Sequence, residues 1–127
     1  MIVNFEEFTD DLSEIEFKYK DEIAELIKRY CKIVVIKNPV KQKDLCSLIN
    51  TALIEKYGLF FEMKVNQVRL RKYFNYFRSN GILPIIATSD GCYISNDKAE
   101  ISKQIISLEQ RARQILKASE GMKTFLK

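Results

Sequence analysis

The sequence predicts a mainly helical α+β domain with one small β-hairpin. Three observations predict it. Apolar residues recur three and four positions apart in successive stretches, the period of a helix with one buried face. Two short strand-like runs, Ile85-Ile86-Ala87 and Cys92-Tyr93-Ile94, flank Thr88-Ser89-Asp90-Gly91, whose Asp-Gly pair signals a hairpin turn. The chain has 127 residues, 46% hydrophobic and 30% charged, which suits one domain with a real core.

Taken in order, Phe5, Phe8, Leu12, Ile15 and Tyr19 form a first helical stripe with acids on the other face, and Asn4 or Thr9 is placed to cap it. A second stripe follows at Ile23, Leu26, Ile27 and Tyr30; one bent helix or two helices both fit. Ile33-Val34-Val35-Ile36 reads as a short strand or extended segment, and Asn38-Pro39 stops any helix. A helix is expected over 41–57, with Leu45, Leu48, Ile49, Ala52 and Leu53 on one face and Gly58 as its C-cap. Another is expected over 65–79, with Leu70, Tyr73, Phe74 and Phe77 inward and Asn80-Gly81 as its stop. After the hairpin, Asn96 or Asp97 caps a long helix over 97–120, ended by Gly121. The parts divide as an acidic N-terminal extension (1–20), a core (21–96) and a long C-terminal helix (97–127). Two helices joined by a short turn and followed by a two-stranded ribbon is the layout of a winged helix.

The residue inventory excludes several chemistries. There is no His, so His-based acid–base catalysis, Ser-His-Asp or Cys-His arrangements and His metal sites are excluded. Cys31, Cys46 and Cys92 are scattered and read as reduced core thiols; three are too few for a Cys-only zinc site. The four glycines build neither GxGxxG nor a phosphate-binding GxxxxGK[ST] loop. No cofactor, metal or catalytic activity is expected. No apolar run is long enough to span a membrane and no signal-peptide pattern stands at the start, which predicts a cytoplasmic protein without membrane partners.

The net charge of +4 is unevenly spread. Residues 1–25 hold nine acids against two lysines, and the remainder holds nineteen Lys/Arg against eight acids. Residues 63–89 contain five basic residues and no acid, a pattern that points to a polyanionic partner. A solvated basic face is the plain alternative.

Residues 70–95, LRKYFNYFRSNGILPIIATSDGCYIS, resemble the winged helix-turn-helix domains common in phage and mobile-element proteins. Their second helix reads V-R-x-x-I-x-x-L-R, followed by x-x-G-x-P-I and a wing closing on G-Y-x-I/L. The matching positions are Leu70-Arg71, Phe74, Phe77-Arg78, Gly81, Pro84-Ile85, Gly91, Tyr93 and Ile94, with Leu83 as an extra residue. Val40-Lys41-Gln42-Lys43-Asp44-Leu45 resembles the start of the family's first helix-turn-helix helix, and Arg111-Ala112-Arg113 resembles its C-terminal tail. The likeness covers about residues 38–120. It implies sequence-specific binding of double-stranded DNA by a regulator or replication accessory, with the helix at 65–79 in the major groove.

On that reading, residue direction assigns the contacts. At about 100° per residue, Tyr73, Phe74 and Phe77 lie within about 60° of Leu70, which places Val68, Arg69, Lys72, Asn75 and Tyr76 on the opposite side. Gln67, Arg69, Lys72 and Asn75 are the residue types that read base edges. Lys64 and Asn66 stand at the turn leading into the helix, and Arg71 and Arg78 on its flank suit phosphate contacts or salt bridges within the fold. Lys41 and Lys43 would hold phosphate at the preceding helix. The wing tip has no Lys or Arg and is expected to add little. Tyr73, Phe74 and Phe77 read as core aromatics rather than a stacking platform; Tyr76 is the exception.

In the C-terminal helix, Ile101, Ile105, Leu108, Ala112, Ile115, Ser119 and Met122 alternate spacings of four and three, an a/d repeat. A homodimer through Ile101, Ile105, Leu108, Ala112 and Ile115 is expected, and packing within the chain would give a similar stripe. The acidic N-terminal helix could complete the core, bind a partner protein or compete with DNA for the basic face. The alternative function is a winged-helix scaffold for protein–protein interaction without DNA binding.

Overall fold

The computed structural model describes residues 11–32 and 39–126. The stripe residues Phe5 and Phe8, the caps expected at Asn4 and Thr9 and the extended segment at 33–36 lie outside the described residues. The chain divides into two compact units, Met1–Ser95 and Asn96–Lys127. The first holds α1 (Glu14–Lys18), α2 (Lys20–Cys31), α3 (Gln42–Tyr57), α4 (Gln67–Ser79), β1 (Ile85–Thr88) and β2 (Gly91–Ile94). The second holds α5 (Lys98–Lys123) and a 3-10 turn at Thr124–Leu126. The protein is thus mainly helical with one small antiparallel sheet among its described residues.

Local chemistry explains the boundaries. Ser13 caps α1 through a reciprocal pair with Glu16: the Ser13 hydroxyl accepts from the Glu16 N–H at 3.3 Å, and Glu16 Oε1 accepts from the Ser13 N–H at 2.8 Å. The chain breaks at Tyr19, so the two stripes are two helices. Asn66 caps α4 by accepting the Arg69 N–H at 2.8 Å, which starts that helix two residues later than its apolar pattern suggests. Gly121 does not end α5. The helix runs through it to Lys123, because Gly121 keeps an ordinary helical backbone rather than a left-handed one.

The core forms where α2, α3 and α4 meet, with Ile23, Ile27, Leu45, Ile49, Leu53, Leu70, Tyr73, Phe74 and Phe77 almost fully buried. Met63, Val65, Ile85 and Cys92 close it from the loops and hairpin. Leu48, expected inward, is exposed, and Cys46 takes the buried position on α3. All three cysteines are buried and unbridged.

β1 and β2 pair from Ile85↔Ile94 to Thr88↔Gly91, so Ser89-Asp90 make the turn and Gly91 begins the second strand. Val40 adds a short third rung: its N–H and C=O exchange hydrogen bonds with Cys92 at 2.9 and 2.8 Å. The hairpin is thereby tied to the residues leading into α3. Gly91 permits this approach. Its φ is 138°, and a Cβ there would lie 2.7 Å from the Val40 carbonyl oxygen. Gly91→Ala is expected to lower stability by about 1–3 kcal/mol. An unchanged urea midpoint would contradict the close packing of Val40 on Gly91.

Candidate functional site

The sequence-selected charged residues converge on α4, and the structure divides them into two groups. The first group is built around Glu16, which is 2% exposed. Its Oε2 accepts from Arg69 Nε at 2.7 Å, and its Oε1 lies 2.8 Å from Lys72 Nζ. Tyr73 donates its hydroxyl hydrogen to the Glu16 carbonyl oxygen at 2.7 Å. Arg69 Nη1 donates to the Lys64 carbonyl at 2.9 Å. Both Glu16 carboxylate oxygens are therefore occupied by α4 side chains and the α1 cap.

Burial alone would push the Glu16 carboxyl up. The bonds from Lys72, the Ser13 N–H and Arg69 outweigh it and hold the group at about 2, below its ordinary 4.5. Burial and the Glu16 charge push the Tyr73 phenol up.

This corrects the sequence-based placement of Lys72, which is buried rather than solvent-facing. Helical geometry around Leu70 assumed one covered face. α1 covers a second: Glu16 takes Arg69 and Lys72, and Phe17 meets Tyr76 edge-on at 6.5 Å. A lysine far from the core direction is thus covered by a neighbouring helix.

The second group faces outward. Gln67 is exposed, and Val68, Arg71 and Asn75 are half-buried, spaced three and four apart along one line of α4. Arg71 Nη1 donates to Gln42 Oε1 at 3.3 Å, which sets this line beside the start of α3. There Lys41 is the N-cap residue, without a side-chain capping bond, and Lys41 and Lys43 are both exposed; so is Asp44. Arg78 is held differently, donating from Nε to the Ile85 carbonyl at 3.0 Å. Lys64 and Asn66 are exposed at the start of α4, although Asn66 is already used as its cap. The structure thus brings Lys41, Lys43, Gln67, Arg71 and Asn75 onto α3–α4. It commits Arg69 and Lys72 to Glu16 and Arg78 to the hairpin.

On the wing, Asp90 is exposed and its N–H bonds the Thr88 hydroxyl at 3.2 Å. In the second unit, Ile105, Leu108, Ala112 and Ile115 are exposed and Ile101 is half-buried. Sequence reasoning passed over two features. One is Glu16 itself, whose signal was the Ser13-x-x-Glu16 capping pattern. The other is the turn after Gly58, where Leu59 is 73% and Phe60 95% exposed while Phe61 stacks on Tyr57 at 4.5 Å.

Among the described residues, no group of His, Cys, Asp and Glu could hold a metal ion. No described helix is long and apolar enough to cross a membrane. An open cleft of about 400 Å³ between α2 and α3 is lined by Asp21, Glu22, Glu25, Leu26, Arg29, Ala52 and Lys56. Lys56 and Glu22 pair at 2.7 Å in it, and the lining offers no nucleophile and base in partnership.

Glu16→Ala leaves Lys72 buried without its carboxylate and is expected to cost about 3–5 kcal/mol of stability. A loss below about 1 kcal/mol in urea unfolding would contradict the anchoring role. The folded Glu16 group sits at about 2 against 4.5 unfolded, so its contribution is complete above pH 4.5 and fades as pH falls toward 2. Stability of the wild type should fall across that window by roughly 3 kcal/mol more than that of Glu16→Gln.

No family model, curated protein or solved structure matches the chain, so its own residues carry the functional reading.

Proposed function

We propose that the chain is a sequence-specific double-stranded-DNA-binding protein of winged-helix type, a regulator or replication accessory of the phage or mobile-element kind. One observation carries the reading. The outer line of α4, Gln67, Arg71 and Asn75, lies beside the exposed Lys41 and Lys43 through the Arg71–Gln42 bond. No acid occurs on α4. The order helix, Val40 rung, helix, helix, ribbon supports the winged-helix assignment.

In this reading α4 lies in the major groove with its N-terminal half toward the bases. Arg71 pairs with guanine, and Gln67 or Asn75 with adenine. Lys41 and Lys43 bind phosphates and set the register. Arg69 and Lys72 do not touch DNA; they hold α4 against α1. No catalytic step is assigned.

A second reading has its own support. With Arg69 and Lys72 bound to Glu16 and an acid at the wing tip, the basic surface is smaller than the sequence suggests. A winged-helix scaffold that binds a protein partner fits that smaller surface.

Fluorescence anisotropy with mixed-sequence duplexes, followed by site selection, separates the two. DNA binding predicts affinity that falls steeply as salt rises from about 50 to 200 mM. On the selected site, Arg71→Ala should cost about 1–3 kcal/mol, while Lys43→Ala should weaken all sequences alike and lower the salt slope by about one. Absence of binding at about 50 mM salt supports the scaffold instead.

A further inference from the structure

α5 is 26 residues, about 39 Å long, and none of its residues is buried. Its apolar residues nevertheless gather on one side. Taking Ile101 as the centre, Ile105, Leu108, Ala112, Ile115, Leu116 and Met122 lie within about 60°, interrupted by Ser119. Ile105 is 50%, Ile115 58%, Leu116 65% and Met122 65% exposed. With Leu108, these side chains present on the order of 500 Å² of apolar surface, toward the upper end of what monomers leave open.

We propose that this stripe is covered by α5 of a second copy of the chain, in a two-helix coiled coil. Two features select a second copy. Spacings alternating four and three average 3.5 residues, the period that keeps a seam facing an identical helix over several turns. Two such stripes bury about 1,000 Å², the lower bound for a specific interface. A 26-residue helix of this composition is marginal alone in water, and pairing supplies the packing it lacks. The inference rests on α5 alone and stands whether or not the protein binds DNA.

Sedimentation equilibrium of the full chain without nucleic acid tests it. The chain mass is 14.9 kDa. The expected result is twice that mass at tens of micromolar, with Leu108→Asp/Ile115→Asp at the single-chain mass. Ile106 is the control: it is 51% exposed but lies about 140° from the stripe, so Ile106→Asp should stay dimeric. A monomeric wild type, a dimeric double variant or a monomeric Ile106→Asp overturns the proposal. Because α5 contributes no buried residue, near-ultraviolet circular dichroism of the core tyrosines should match wild type in both variants. That check separates lost pairing from lost folding, and the wild-type mass decides the question independently of any variant.

Discussion

A buried carboxylate must be paired, and Glu16 organises the helical unit around that requirement. Its charge sits between a five-residue helix and the longer α4, with Lys72 and Arg69 on its two oxygens. A helix as short as α1 has little stability of its own. It is fixed here by a reciprocal cap, an ion triad and the Tyr73 hydroxyl on its backbone. Removing one partner leaves the others buried without compensation, so these contacts form as a set.

That set also determines what α4 presents to solvent. Arg69 and Lys72 are basic in sequence but engaged in place, and the acidic start of the chain supplies the carboxylate they share. Outside that set, α4 carries the line Gln67, Arg71 and Asn75, beside Lys41 and Lys43 at the start of α3. The separation has a functional logic in the DNA-binding reading. A helix that reads base edges needs a fixed orientation, and side chains locked from behind provide it. The Val40 rung on Cys92 does the same for the hairpin, whose turn would otherwise hang from two short strands.

Most helices were legible because they bury one face at helical spacing: Leu70, Tyr73, Phe74 and Phe77 are inward as their period requires. The hairpin was legible from Asp90-Gly91, although Gly91 proved to be a strand residue chosen for its approach to Val40. The Lys72 position was not legible. Periodicity locates the face turned toward the main core, but it is blind to a second helix that brings its own countercharge from 56 residues away. The Gly121 stop failed for a related reason. A glycine ends a helix only when the next turn needs a left-handed residue, and none is needed there. Of the candidate site, the residue types were readable but their division into anchoring and outward groups was not.

The division of α4 is tested most directly by two-dimensional 1H–15N NMR of the chain titrated with its selected duplex. The account predicts shifts at the amides of Gln67, Arg71 and Asn75 and around Lys41 and Lys43, with the Arg69 Nε–H resonance unmoved at its Glu16 bond. Movement of the Arg69 Nε–H on DNA addition, or an α4 whose outer line does not respond, would contradict it.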